Sequence, residues 1–200
     1  MVTLVMGVLG VVAFVLGTVI LGVWLRRNPS VAAADQASRV MHFLFFAGLG
    51  APFLVATVYP GLTRLDSVAG LEPLPWRPLT LGLGVILSVP GVYLLGVSNQ
   101  LLRTRGDGAN AFRLTKHVVG HEIYGYTRNP MSLGYYLAAL GLSLLVGSTV
   151  LTLYVLVGVI PAHLFFLTFF EERELELRFG ESYRQYRQTV PFLIPRRLER

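Results

Sequence analysis

The chain has 200 residues, of which 54% are hydrophobic and only 14% are charged, and its mean hydropathy is +0.60. Roughly a quarter of the residues of an ordinary soluble domain are charged, so this composition excludes a soluble globular protein. Cysteine is absent, which excludes disulfides, thiolate metal sites and a thiol nucleophile. We therefore expect a single all-α, polytopic membrane domain over residues 1–200.

The net charge of +6 comes almost wholly from arginine, because Lys116 is the only lysine. In a soluble protein such a basic balance would suggest nucleic acid as a partner. Here the positive-inside bias of membrane proteins explains it, and the basic side faces anionic lipid. We expect membrane lipids as partners and no nucleic acid.

Apolar stretches predict five membrane-spanning helices, since a hydrocarbon core of about 30 Å needs about 20 apolar residues. The predicted spans cover residues 2–25, 40–59, 79–102, 131–146 and 150–170. The last two come from one apolar stretch, which is long enough to cross twice and is expected to turn at residues 147–149. Pro90 predicts a kink in the third span.

The distribution of basic residues predicts the orientation of these spans. Fifteen of the 17 lysine and arginine residues lie in three segments: the short connection directly after the first span, a loop over residues 103–130 and a tail over residues 171–200. The positive-inside rule places those segments in the cytoplasm. We expect an integral protein of a prokaryotic plasma membrane, with its N-terminus outside and its C-terminus cytoplasmic.

The beginning of the tail has helical periodicity. Residues 171–187 are predicted to form a cytoplasmic helix that continues from the fifth span, with an ion pair between Glu174 and Arg178 at i, i+4. Gly180 weakens this helix locally by about 1 kcal/mol relative to alanine.

Ionisable groups are scarce inside the predicted spans. His42 and His163 are the only candidates there, and a lone histidine in a span usually bonds a neighbouring carbonyl, so ion or proton transport is disfavoured. Polar residues concentrate instead in residues 98–130 and 171–191. Both segments flank the hairpin of the last two spans, so folding should bring them together at one membrane face.

Two short elements are the candidates for a site at that face. Pro130 suits the first turn of a helix and disfavours helical geometry at Asn129, so Arg128 stands beside unpaired backbone N–H groups that attract anions. Glu171 and Glu172 follow the fifth span, and Arg128 is a natural partner for this couple. The alternatives are a snorkelling arginine and an ordinary solvated helix end.

These two elements belong to longer blocks. The first contains Tyr124, Arg128-Asn129-Pro130-Met131-Ser132 and Gly134; the second contains Glu171-Glu172, Phe179-Gly180, Tyr183, Tyr186, Val190-Pro191 and Pro195. In this order the blocks resemble the membrane methyltransferases grouped around isoprenylcysteine carboxyl methyltransferase and the phospholipid N-methyltransferases. Two departures stand out. The family usually has glycine where this chain has Glu122, and tyrosine where it has Ser132.

The resemblance implies methyl transfer from S-adenosylmethionine to a lipophilic, isoprenoid or lipid-like acceptor at the cytoplasmic membrane face. It implies cofactor binding by Tyr124, Arg128, Asn129, Pro130, Met131, Glu171 and Glu172. By the same resemblance, Arg128 and Glu172 are the candidate catalytic residues, and no metal is expected. Carboxylate, amine, thiol and phenol acceptors all stay open.

Two other interpretations are compatible with the sequence. One is a sterol- or steroid-type membrane reductase, which shares the helical hairpin and polar tail but binds NADPH. The other is a non-enzymatic membrane module that supports assembly or signalling. The Arg-Asn-Pro block favours the methyltransferase over the reductase, and affinity for S-adenosylhomocysteine or for NADPH would separate all three.

Overall fold

The computed structural model describes residues 2–58, 63–106 and 115–196. Within these ranges all regular structure is helical and no strand occurs, which confirms the all-α prediction. Three parts of the predicted elements lie outside the described ranges: the end of the second span at Tyr59, residues 107–114 of the polar loop and residues 197–200 of the tail.

Long helices dominate the described chain. Their bounds are α1 Val2–Arg27, α2 Val31–Val58, α3 Thr63–Val68, α4 Arg77–Arg105, α5 Pro130–Val146, α6 Thr149–Phe179 and α7 Glu181–Thr189, with a 3₁₀ turn at Glu122–Gly125. Helices α1, α2, α4 and α6 are long and apolar enough to cross a membrane. The chain is therefore an integral membrane protein. Helix α5 is a shorter apolar helix of 17 residues, so the fifth crossing stays a prediction.

Helix α2 begins earlier than predicted. The sequence suggested a polar connection over residues 28–38, whereas the helix begins at Val31. The Ser30 side chain accepts a hydrogen bond from the Ala33 N–H at 3.1 Å and caps the helix. Charged residues such as Asp35 and Arg39 are common in loops, but here they lie on the first half of α2. This half is amphipathic, and its small residues Ala34 and Ala37 are buried.

Helices α4 and α5 pack closely along a stripe of small residues. A Cβ on Gly91 would lie 2.4 Å from the Ala138 backbone nitrogen, and one on Gly141 would lie 2.6 Å from the Ser88 nitrogen. Only glycine permits this backbone approach, which is the usual way that membrane helices associate. Pro90 lies within α4, which continues through it.

The predicted turn between α5 and α6 is confirmed. Gly147 ends α5 with φ of 79°, and Ser148 caps α6. The connection before α4 holds this tip in place. Asp66 Oδ1 accepts from Ser148 Oγ at 3.0 Å and from the Val150 N–H at 2.7 Å. Arg77 donates to two carbonyls at the end of α5.

Helix α6 is the central element of the fold. Phe166, Leu167 and Phe170 lie in a buried core shared with Phe14 of α1 and Met41 of α2. Two π-helical turns interrupt α6, at Tyr154–Val159 and at Leu167–Glu171. The predicted continuous tail helix over 171–187 is wrong at one position. Gly180 has φ of 57° and ψ of −129°, a conformation that favours glycine, and the helix breaks there into α6 and α7.

Candidate functional site

The predicted site elements meet where α5 begins and α6 leaves the core. Asn129 is non-helical and buried Pro130 starts α5, as the sequence predicted. Arg128 Nη1 lies 2.5 Å from Glu172 Oε1, and Arg128 Nε donates to the Val190 carbonyl at 3.1 Å. The structure thus brings together the arginine and one member of the glutamate couple; their roles in binding or catalysis stay predictions.

Glu172 has a second cationic partner that the sequence did not reveal. Arg187 of α7 lies 3.1 Å from its other carboxylate oxygen. The side chains of Arg128 and Glu172 are only 10% and 13% exposed, whereas Arg187 is 45% exposed. Each carboxylate oxygen of Glu172 therefore faces a guanidinium. The Arg128–Glu172 pair is largely shielded from water, so removal of either partner would leave the other charge buried and unpaired. Arg187 gave no sequence signal, because it reaches Glu172 only after the chain turns at Gly180.

Residues 190–196, which we name the C-terminal strap, lie across the Arg-Asn-Pro block. The Arg128 N–H donates to the Pro191 carbonyl at 2.9 Å, Thr127 Oγ1 to that of Leu193 at 2.9 Å, and Asn129 Nδ2 to that of Phe192 at 2.9 Å. The Asn129 side chain, a predicted cofactor ligand, therefore holds the strap. Thr127 is a structural partner that the sequence analysis missed.

Glu171 is in a different situation from its neighbour. Its carboxylate is half-buried and makes no hydrogen bond or ion pair with any residue that the structure describes. It lies within electrostatic reach of the hydroxyl groups of Tyr124, Tyr136 and Tyr183. The two adjacent glutamates therefore differ, since Glu172 is paired with two arginines and Glu171 has no partner among the described residues.

Three tyrosines outside the membrane-spanning helices surround this end of the protein. Burial raises the pKa of Tyr183 to about 12, with further elevation by Glu171 and Glu172, and Arg128 opposes it. Burial likewise raises the pKa of Tyr124 and of Tyr186. Tyr186 also donates a hydrogen bond to the Tyr124 carbonyl at 2.8 Å. These phenols stay neutral at physiological pH, so they offer hydroxyl groups and ring faces rather than charge.

Glu122 occupies a strained position two residues before Tyr124. Its φ is 56°, in the left-handed region that favours glycine. Its carboxylate lies 3.8 Å from Arg105 in an exposed ion pair, which contributes little stability. The chain thus keeps a left-handed turn in front of Tyr124 although it has no glycine to make that turn.

Three other observations complete the site. Met131 is half-buried in the first turn of α5. Arg178 pairs with Glu174 at 2.9 Å, as predicted, and also with Asp35 at 3.2 Å and with the Thr115 carbonyl, so it joins α6 to α2 and to the polar loop. Among the described residues no group of three or more histidine, aspartate or glutamate side chains could hold a metal ion.

Comparison with known sequences identifies the family behind this arrangement. Residues 79–182, about half of the chain, match the family described as phospholipid methyltransferase. The chain belongs to this family. The match includes Glu122, the Arg-Asn-Pro block and the glutamate couple, and it confirms the resemblance seen in the sequence. Methyltransferases of this family use S-adenosylmethionine.

One relative is similar over part of the chain. Methanethiol S-methyltransferase 1 of Bradyrhizobium diazoefficiens is 33% identical over an alignment of 98 residues that covers 42% of this chain and 31% of the relative. The chain thus spans about a third of the length of the curated relative that it matches. No solved structure matches the chain.

Proposed function

We propose that this phospholipid methyltransferase family member transfers a methyl group from S-adenosylmethionine to a lipophilic acceptor at the cytoplasmic membrane face. The observation that carries the proposal is the half-buried, unpaired state of the Glu171 carboxylate among the described residues. A half-buried carboxylate without a partner among the described residues is costly unless a cation accompanies it. S-adenosylmethionine carries two cationic groups, a sulfonium and an ammonium. The unpaired carboxylate therefore fits this cofactor.

The neighbouring residues fit the rest of the cofactor's chemistry. Tyr124 and Tyr183 offer neutral aromatic faces, which attract a sulfonium by cation–π interaction and limit the access of water. The first N–H groups of α5, near Pro130 and Met131, lack partners within the helix and favour an anion such as the cofactor's carboxylate. Arg128 supports this anion site electrostatically while it stays paired with Glu172.

Bound S-adenosylmethionine supplies an activated methyl group on a sulfonium. Its transfer is an in-line displacement that needs two substrates aligned about 3 Å apart in a water-poor site. The ends of α5 and α6 suit this requirement. A charged cofactor reaches them from the cytosol, while an oily acceptor reaches the same helices from the bilayer.

The acceptor class is proposed from two features. The Bradyrhizobium relative is named for a thiol substrate, and Ser132 replaces the tyrosine that is usual in the family. A half-buried serine leaves more room beside the start of α5 than a phenol ring does. We therefore favour a lipophilic thiol over the isoprenylcysteine carboxylate that gave one branch of the family its name.

Calorimetric titration of the detergent-solubilised protein tests the activity class. We expect binding of S-adenosylhomocysteine and no binding of NADPH. Binding of NADPH alone would support a membrane reductase instead, and binding of neither would support a non-enzymatic module. Membranes incubated with labelled S-adenosylmethionine then identify the acceptor by the lipid or small-molecule fraction that takes up the label.

We also propose that α5 is a fifth crossing and that the N-terminus lies outside. The absence of cysteine makes this directly testable, because each engineered cysteine is the only thiol in the chain. Glu181→Cys in α7 should react with an impermeant maleimide only after permeabilisation. Leu71→Cys, in the exposed connection before α4, should react in intact cells. The opposite pattern would reverse the orientation.

A further inference from the structure

A second polar pair lies deeper in the molecule than Glu171. The Tyr136 hydroxyl of α5 and the His163 Nδ1 of α6 are 2.8 Å apart, and both side chains are buried, at 6% and 7% exposure. A lone histidine in a membrane span usually bonds a nearby carbonyl. His42 does so through Ser38, but the hydrogen-bond partner of His163 is a phenol on another helix.

The surroundings of His163 are aromatic. The ring centroids of Phe45, Phe14 and Phe166 lie 4.8, 6.3 and 5.6 Å from that of His163. Tyr135 joins this cage at 5.9 Å, and its buried hydroxyl has no hydrogen-bond partner among the described residues. A buried hydroxyl without a hydrogen-bond partner destabilises the fold unless a ligand supplies the partner. An imidazole and a free hydroxyl inside an aromatic cage therefore favour a small polar group of a ligand.

The pair and the proposed cofactor site share the hairpin of α5 and α6. His163 precedes Glu171 by eight residues, about 12 Å along a helix. Stacked rings cover that interval, since Phe166 lies 5.4 Å from Phe170. The Tyr136 hydroxyl lies within electrostatic reach of Glu171. We therefore place the acceptor between this pair and the cofactor.

The charges near the pair restrict the acceptor. Among the residues that the structure describes, the titratable groups that face His163 from packed helices are Tyr135, Tyr136 and His42. None of them is a permanent cation or a carboxylate. A carboxylate acceptor would lack a counter-ion there. A thiol or phenol enters neutral and loses its proton only at reaction.

We propose that His163, oriented by Tyr136, takes the proton of a neutral thiol or phenol acceptor during methyl transfer. This inference rests on the proposed function. The acceptor's S–H or O–H bond breaks and its proton goes to an imidazole nitrogen. A bond forms between the acceptor atom and the methyl carbon, and the sulfonium–methyl bond breaks with its electron pair kept by sulfur. The products are the methyl thioether or ether and S-adenosylhomocysteine.

Two thiols of different acidity test the role of His163. At about pH 7.5 an alkyl thiol such as 1-octanethiol is mostly protonated, while thiophenol is mostly ionised and needs no base. We expect His163→Phe to lower turnover of 1-octanethiol by about 10²- to 10⁴-fold, the range of general-base catalysis. Turnover of thiophenol should fall much less. Tyr136→Phe should show the same selectivity with a smaller loss.

The matched control is His42→Phe, which makes the same substitution at a histidine bonded to a backbone carbonyl and should leave both turnovers near wild type. His163→Gln, which keeps a hydrogen bond but cannot take a proton, replaces His163→Phe if that variant does not fold. Equal losses for both thiols would overturn the inference in favour of a packing role. If the wild-type protein binds S-adenosylhomocysteine but methylates neither the two thiols nor a phenol, the inference about His163 is overturned while the proposed cofactor binding stands. Wild-type protein that does not bind S-adenosylhomocysteine would overturn the proposed function as well.

Discussion

The same substitution at the two adjacent glutamates should have opposite consequences. Glu172→Gln removes the negative charge between Arg128 and Arg187. Unit charges about 4 Å apart attract by about 4 kcal/mol at an effective dielectric constant of 20, and breaking a buried pair costs about 3–5 kcal/mol. Because the Gln amide keeps one hydrogen bond, we expect a loss of about 3 kcal/mol in the free energy of unfolding. For a chain of this size that lowers Tm by about 6–12 °C.

Glu171→Gln removes a carboxylate that has no partner among the described residues, so Tm should stay unchanged or rise slightly. The proposed function instead predicts a loss of cofactor affinity. A hydrogen bond to a charged group is worth about 1.5–3 kcal/mol. The Kd of S-adenosylhomocysteine or S-adenosylmethionine should therefore rise by about 10- to 150-fold, with the larger effect on the cofactor that carries the sulfonium.

Thermal unfolding in detergent and calorimetric titration measure the two effects on the same preparations. Glu181→Gln is the matched control, because its exposed carboxylate pairs only with Arg184 among the described residues and should change neither quantity. The reasoning fails if Glu171→Gln lowers Tm as much as Glu172→Gln does. It also fails if Glu171→Gln leaves both cofactor affinities at wild-type values.

Three further predictions test the fold around the site, each by thermal unfolding. Gly91→Ala places a Cβ 2.4 Å from the Ala138 nitrogen and should destabilise the α4–α5 pair by about 1–3 kcal/mol. Gly96→Ala is the control, because a Cβ there meets no atom within 4 Å and should leave Tm unchanged. Equal Tm values for the two variants would contradict close packing of α4 on α5. Glu122→Gly should be tolerated and Glu122→Val should cost about 1–2 kcal/mol, and tolerance of valine would mean that the left-handed turn is absent. Asp66→Ala should cost about 1–2 kcal/mol, because Ser148 and the Val150 N–H at the start of α6 lose their acceptor. An unchanged Tm would mean that these two hydrogen bonds do not stabilise the fold.

Several parts of the fold could be predicted from the sequence because their signals are local. Pro130 marks the start of α5, and residues 147–149 mark the turn to α6. Once these two ends are known, Arg128 and Glu172 must lie at the same end of one hairpin. The meeting of these side chains therefore follows from chain direction and helix length, without any knowledge of packing.

Other parts could not be predicted because they depend on distant contacts. Arg187 reaches Glu172 only through the break at Gly180, and no periodicity indicates that contact. His163 gave no signal beyond being a histidine in an apolar span. Its partner, Tyr136, is set by how α5 packs against α6, which the sequence does not encode in any short pattern. The early start of α2 was missed because charged residues on an amphipathic helix resemble a loop when its buried face is unknown.

The division between Glu171 and Glu172 has a geometric origin in α6. Adjacent residues on a helix point about 100° apart, so the two carboxylates cannot serve one partner. The π-helical turn Leu167–Glu171 ends at the first of them, and such turns recur at functional sites because they re-aim the side chains that follow. Glu172 meets the two arginines that hold α7 and the strap, while Glu171 faces the tyrosines. A fold that pairs one carboxylate with two arginines and leaves its neighbour unpaired places a free carboxyl group where the proposed cationic cofactor would bind, at the cytoplasmic end of α6 in the proposed orientation.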